Sequence, residues 1–566
     1  MGPSSGSRTR VVVGLDLGTT FSGISYAVLP QNLNGPVSFW WKVGGSHQPK
    51  TPTQIEVSGT PIEWFKLSIL HRDDLEKDIL ASEKFNKSNS ARERMNLTAT
   101  DVTAKYLCKI WKVFLNELQK MIADAHIQIT MTVPVLWPDY ARKAIYDALH
   151  QANIINSNVE LAPKFLAEPE AAALAIFSAA YYHVDGTPFS KVQPGQVVIV
   201  CDCGGGTTVS FPSPYLSFIA WCSSPFKDTA VYGIRSINPL RVEEALKGRR
   251  IFAGACILDD RFMKLLKEKI AQVISPRVFQ TLKDEDFARI AYTHWDNDVK
   301  KSFNNNFQTK RIELPFHWVG SQHRRMPVGQ SVHVEFNHNE IASIFNPIVE
   351  NITTLIENEI RNIPTHLSKD VSYLIMAGGF SQNLYLRHQI SQTVNRVSPD
   401  TDTVDYPNGQ GWNAVSMGAV IHALQAQAIQ QPVLVTSRIV RASWGVRERG
   451  GHSIFWLVVE NESLDAAQPN LRPVPAEALS TDGHTGGDNF SIRVYRRQIQ
   501  NEAPRVQEVC ILRWRTVDVE LDSDMKPVLK AALQIEFKWD GAAMDFSLFY
   551  GGVQQSSMEV KHPWDA

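Results

Sequence analysis

Val197–Thr208 reads VVIVCDCGGGTT. Val197, Val198, Ile199 and Val200 form a short apolar, β-branched run, the pattern of a buried strand. Asp202 comes at its end, and Gly204, Gly205, Gly206, Thr207 and Thr208 follow. A strand ending in a carboxylate and a glycine-rich turn presents backbone N–H groups to an anion such as a phosphate. Glycine permits positive φ and carries no Cβ to block that approach. Asp202 would hold a hydrated Mg²⁺ between phosphates. Taken alone, the segment reads equally well as a tight turn.

The device occurs twice. Arg10–Ser22 reads RVVVGLDLGTTFS, an apolar run carrying Asp16 and followed by Gly18, Thr19 and Thr20. Two strand–Asp–x–Gly segments far apart in one chain suggest two related half-domains facing one nucleotide. A third piece, Tyr373–Leu384 (YLIMAGGFSQNL), is a strand, then Gly378 and Gly379, then a polar turn into a helix. The spacing of the three resembles the actin-like ATPase superfamily. Residues 10–430 resemble the nucleotide-binding domain of the heat-shock protein 70 (DnaK-type) family, nearest to its divergent, lidless eukaryotic branch. The fold class so implied is α/β, a two-lobed actin-like ATPase of duplicated ribonuclease-H-like subdomains. The cofactors implied are ATP/ADP and Mg²⁺.

The resemblance assigns roles to residues outside the glycine turns. Lys66, in WFKLSIL, stands for the family's catalytic lysine, with a surface lysine as the alternative. Leu166–Ile176 (LAEPEAAALAI) is similar to the first crossing helix, whose glutamate positions the attacking water. That role passes to Glu168, although a carboxylate at a helix N-terminus is also favoured by the dipole alone. Pro169 sits at the permitted first turn. Gly411–Leu424 resembles the second crossing helix, and small residues in both would let the lobes pack closely and slide. Asp16 and Asp202 are the metal residues. Gly18, Thr19, Thr20, Gly204, Gly205, Gly206 and Thr207 are the phosphate residues, and Thr207 also counts as catalytic. Lys300 in HWDNDVKKSF is placed beside the adenosine, with a solvated lysine pair as the alternative. Gly378 and Gly379 would let the base and ribose lie against bare backbone.

The chain departs from the family in three places. The family's aspartate after the second phosphate turn is replaced by Val209, which opens a nineteen-residue apolar, Ser- and Pro-rich stretch, Val209–Lys227. Without it the sequence would run GGGTT-DTAVYGI, restoring both the aspartate (Asp228) and a continuous strand. Val209-Ser210 is encodable by splice-donor sequence, so residues 209–227 read as a retained short intron or as a surface insert. Phe380, Ser381 and Gln382 stand where the family keeps Ser/Thr and a base-stacking Arg. The leucine–aspartate linker is absent.

Elsewhere the periodicity predicts a long amphipathic helix over Leu97–Asp124, a strand at Ile127–Val133, a helix at Pro138–Ala152 and a long helix over Ile341–Ile363. From about 433 to 566 the character changes to short strands and turns. Val433–Val440, Ser453–Glu460, Ser491–Tyr495, Val506–Val509 and Ala532–Phe537 are the clearest, with Val517–Leu521, Asp545–Tyr550 and Glu559–Lys561 weaker. This predicts an all-β C-terminal domain after a nucleotide-binding domain of residues 10–430, with residues 1–9 a disordered lead.

Composition narrows the function. A chain of 566 residues is too long for one core. Its 57 basic and 58 acidic residues make no electrostatic case for nucleic acid or an anionic membrane. The six cysteines are scattered and lack metal spacing. No signal peptide or membrane-length apolar run is visible, and a reducing, cytoplasmic setting is expected. The resulting expectation is an ATP-binding and ATP-hydrolysing chaperone-like protein whose β domain takes unfolded or extended polypeptide, aided by a co-chaperone or exchange factor. A catalytically inactive nucleotide-sensing scaffold is the alternative, and an actin-superfold small-molecule kinase a third reading.

Overall fold

Apolar strands with β-branched residues and a run of capped amphipathic helices build a mixed α/β structure. The computed structural model describes residues 9–30, 35–43, 46–75, 77–134, 137–179, 181–182, 192–203, 226–246, 250–252, 255–319, 331–405, 411–429, 431–466, 468–481, 489–500, 503–515, 519–521, 527–539 and 544–558.

The first sheet is seven-stranded, and its main path runs Val37–Ser38, Phe21–Leu29, Thr9–Asp16, Ala125–Val133, Val159–Leu161. Thr9–Asp16 pairs antiparallel with Phe21–Leu29 and parallel with Ala125–Val133. The second sheet repeats this path as Leu240–Leu246, Phe226–Ile237, Val197–Asp202, Val371–Ala377, Asp402–Asp405. Val197–Asp202 is again antiparallel to the strand that follows it and parallel to the distant one. Helices precede the parallel strands in both halves: Ala99–Met121 and Asp139–Gln151 in the first, His338–Leu367 and Leu384–Val397 in the second. Thr98 and Asp101 close a capping box on Ala99–Met121, and Asn337 and Glu340 do so on His338–Leu367. Each box satisfies backbone N–H groups that a helix start leaves unpaired.

Each half ends in a helix that packs on the other half's sheet. Glu168–Ser178 lies against Val198, Val200, Ala230 and Tyr232 of the second sheet. Val420, Ala423 and Leu424 of Ala414–Ala426 lie against Val12 and Ala27 of the first. All eleven residues of Glu168–Ser178 are buried, and its two carboxylates are paired with Lys66 and Arg438. The two helices touch at Gly418, where a Cβ would fall 1.7 Å from the Ala171 carbonyl oxygen. Only glycine allows so close a crossing.

The periodicity-based expectations for the helices and the strand at Ile127–Val133 hold to within a few residues. Two placements differ. Phe226 and Lys227, assigned to the insert, open the strand Phe226–Ile237 and pair with Arg250–Phe252. Val433–Ile439, grouped with the C-terminal strands, instead pairs parallel with Leu240–Leu246 and so extends the second sheet. An unpaired edge of that sheet offers hydrogen-bond partners to whichever extended segment reaches it first.

Ser463–Asp465 pairs with Val433–Ile439, and most of the other strands beyond it form a five-stranded sheet, including Ser443–Arg447, Ile454–Val458, Asn489–Gln500 and Ala503–Arg515, and a four-stranded one, including Leu533–Trp539 and Met544–Tyr550. Both contribute to one core, with Val446, Ile492, Val494 and Leu512 from the first and Ile535, Phe537, Phe546 and Leu548 from the second. Glu559–Lys561 lies outside the described residues. Among the described residues, no helix is long and apolar enough to cross a membrane.

Candidate functional site

Asp16 and Asp202 occupy equivalent positions, each the last residue of the strand that is parallel to the next half-domain strand. Ligands of open α/β sheets bind beyond such carboxyl ends. Thr19 and Thr20 follow Asp16 and are 1% and 4% exposed, and neither hydroxyl has a hydrogen-bond partner among the described residues. Buried hydroxyls are normally satisfied, so two adjacent orphans mark a place where a ligand oxygen fits.

Asp16 itself is buried and accepts a hydrogen bond from the Lys50 ammonium at 2.5 Å. Lys50 comes from the short strand Lys50–Pro52, which pairs with the start of Phe21–Leu29 and sets Lys50 opposite Gly23. Sequence reasoning missed Lys50. No local pattern marks it, because only the strand pairing carries it to Asp16.

Two of the predicted catalytic residues do meet. Lys66, just before the turn Leu67–Ile69, donates to Glu168 at 2.8 Å, and the two are 2% and 6% exposed. The Lys66 ammonium also lies 5.3 Å from the centre of the Trp137 ring. Glu168 opens its helix with Pro169 behind it, where the helix dipole favours a carboxylate. The 46–66 stretch thus delivers an ammonium group to each of two buried carboxylates.

The second and third motifs are stitched together by backbone. Cys203 N–H donates to the Ala377 carbonyl at 2.8 Å, and Phe380 N–H to the Cys203 carbonyl at 3.0 Å. Gly378 has φ +84°, and a Cβ there would lie 2.4 Å from the Cys203 carbonyl carbon and 2.5 Å from Asp202 Oδ1. Gly379 leads into the turn Phe380–Gln382, and Ser381 Oγ donates back to the Gly378 carbonyl at 2.7 Å. The same turn reaches the first motif. Gly378 N–H donates to the Gly411 carbonyl at 2.9 Å, and the neighbouring Trp412 ring packs edge-on against Phe21, the residue after Thr20, with centroids 5.3 Å apart.

Lys300 is held otherwise than expected. It is 5% exposed and donates to Asp259 Oδ1 at 2.6 Å, and Trp295 Nε1–H donates to the same oxygen at 2.8 Å. Tyr292–Val299 is a π-helix, and the widened turn leads directly into Lys300. Asn383 donates to the Lys300 carbonyl at 2.9 Å, so this segment does abut the glycine turn. Its ammonium group pairs with Asp259, so Lys300 is not the solvated lysine of the alternative reading. Next to it, burial pushes the Asp260 carboxyl above the ordinary range, and Ser82 donates to it at 2.8 Å. Burial likewise raises the Tyr106 phenol.

Gly204, Gly205, Gly206, Thr207 and Thr208, with residues 209–225 of the insert, lie outside the described residues. The Cys201 and Cys203 thiols that flank Asp202 are buried and 3.6 Å apart. Among the described residues no group of three or more His, Cys, Asp and Glu side chains could hold a metal ion. A cation here would therefore depend on water and ligand oxygens for most of its coordination. Compared with models of protein families and with curated proteins, the chain matches none.

Proposed function

We propose that this chain binds ATP between the two lobes of an actin-like fold and hydrolyses it, and that its C-terminal strands bind polypeptide under control of the nucleotide. The reading is carried by the repeated sheet, whose equivalent strands end at Asp16 and Asp202, with the orphan hydroxyls of Thr19 and Thr20 beside the first. Those hydroxyls suit phosphoryl oxygens. Lys50 and Lys66 bring positive charge to where charge builds up during phosphoryl transfer. Glu168 would accept the proton of the attacking water. A Mg²⁺ ion held through water by Asp16 and Asp202 would supply further positive charge to the phosphoryl oxygens.

Coupling to the C-terminal strands has a physical route. Glu170, two residues beyond Glu168 on the same buried helix, makes a bidentate pair with Arg438 at 2.7–3.2 Å. Arg438 belongs to Val433–Ile439, the strand that leads into the C-terminal sheets. Strand Leu240–Leu246 adds Glu244, which pairs with Arg441 and accepts from Ile439 N–H at 2.8 Å. A tilt of the Glu168 helix on nucleotide exchange would move the strand that leads into the polypeptide-binding part.

The test is equilibrium ATP binding and single-turnover hydrolysis by the full chain and by a version lacking residues 209–227. Glu168→Gln is expected to keep ATP binding and to slow hydrolysis by about 10²–10⁴-fold, the usual contribution of a positioned base. Failure of both forms to bind ATP would refute the reading. A second reading, a nucleotide sensor without turnover, draws on the pairing of Asp16 with Lys50 and of Glu168 with Lys66, which leaves neither carboxylate free to act on water. Binding without hydrolysis in both forms would establish it.

A further inference from the structure

Outside the C-terminal core, Ser443–Arg447, Asn489–Gln500 and Ala503–Arg515 bring together a dense group of guanidinium and aromatic side chains. The Arg447 guanidinium lies 4.1 Å from the Tyr495 ring centre, and that of Arg497 lies 4.5 Å from Trp456. Tyr495 donates to Glu508 at 2.7 Å, and Arg493 pairs with the same carboxylate at 3.2 Å. Around the Gly450–Gly451 turn, Arg447, Arg493, Tyr495 and Glu508 line a cavity of about 180 Å³, to which Arg449 and Glu448 also contribute. Of the carboxylates that line it, Glu508 is already engaged by Arg493 and Tyr495. Arg447 Nε is shielded from solvent without a hydrogen-bond partner, and Arg447 has no ion pair among the described residues.

A guanidinium over a ring face still has N–H groups to offer an oxyanion in bidentate contact. Sites for nucleotides and drug-sized ligands run to roughly 300–1,000 Å³, so this cavity suits a single headgroup. Single-stranded nucleic acid would need open aromatic faces for its bases, and here Arg447 and Arg497 cover those faces. We propose that Arg447, Arg449 and Arg493 form a site for one oxyanion side chain, carboxylate or phosphoryl, of an extended polypeptide. The inference rests on the reading of the C-terminal strands as polypeptide-binding and names the chemistry of the segment they take.

The experiment is fluorescence anisotropy on the full chain with four labelled octapeptides. One carries a central Glu-Glu, one a phosphoserine, one Gln and Ser in their place, and one only apolar residues. The Glu-Glu or phosphoserine peptide is expected to bind at least tenfold more tightly than the Gln/Ser peptide, with the advantage shrinking in high salt. Arg447→Gln should abolish that advantage. Arg447→Lys, which keeps the charge and loses the planar fork, should abolish most of it. If Arg447→Gln fails to fold, as judged by circular dichroism, the half-exposed Arg493→Gln carries the same expectation. A preference for phosphoserine alone assigns a phosphoryl site, and equal gain with both assigns a general oxyanion site. Tight apolar binding with no preference for either anion overturns this inference and leaves the polypeptide reading standing. Binding of none of the four overturns both.

Discussion

Lys66→Met separates a paired buried charge from an incidental contact. Lys66 and Glu168 lie 2.8 Å apart with side chains 3% and 8% exposed, so solvent cannot re-solvate whichever group is left alone. Removing one partner of such a pair costs about 3–5 kcal/mol, whereas replacing both with apolar side chains ranges from neutral to a gain of about 1–4 kcal/mol. Lys66→Met and Glu168→Leu are therefore each expected to cost about 4 kcal/mol. Lys66→Met/Glu168→Leu together should restore most of the loss, where simple addition would demand a loss of about 8 kcal/mol. Urea unfolding followed by tryptophan fluorescence reads the difference. With a slope of about 2 kcal/mol per M, each single variant should shift the midpoint down by about 2 M. The double variant should return to within about 1 M of the parent. Additive losses, or a single-variant cost below about 1 kcal/mol as for an exposed pair, would refute the pairing and with it the placement of Glu168.

Three further outcomes follow from the geometry. Gly418→Ala forces a methyl group to within 1.7 Å of the Ala171 carbonyl oxygen and should cost about 1–3 kcal/mol, visible as a melting-point drop of several degrees; an unchanged melting point would mean the helices do not cross there. Hydrogen bonds from Lys267 and then Lys87 hold the Asp284 carboxyl down to about 2 from an ordinary 3.8, so its stabilisation is present above about pH 4 and is lost as pH falls towards 2. The stability gap between the parent and Asp284→Asn should shrink over that interval and shrink also in high salt, since the side chain is half exposed; a gap independent of pH would contradict the cluster. Burial pushes the Cys510 thiol up to about 12, so at pH 8 it stays neutral and should alkylate more slowly than the part-exposed Cys108 in the native protein, and faster labelling of Cys510, read by peptide mapping, would contradict its burial.

Much of the molecule is legible from local pattern. The apolar runs before Asp16 and Asp202 are strands, the 3.6-residue periodicity of Ala99–Met121 and His338–Leu367 is helical, and Glu168-Pro169 begins a buried helix. These are short-range preferences of backbone and side chain, which act before any distant contact forms. The closeness of Gly378 to Asp202 comes from the parallel pairing of their strands, which brings the carboxyl ends together. What the tertiary structure alone decided is which charges meet. Lys50 reaches Asp16 through an antiparallel pairing of strands. Lys300 is taken by Asp259, from a helix some forty residues earlier. Val433–Ile439 joins the sheet of Leu240–Leu246 and draws Ser463–Asp465 into it on its other side. A lysine's own residue type says that it needs an anion or water around it. Which anion it finds is set by strand register and helix packing, and these depend on contacts between segments well separated along the chain.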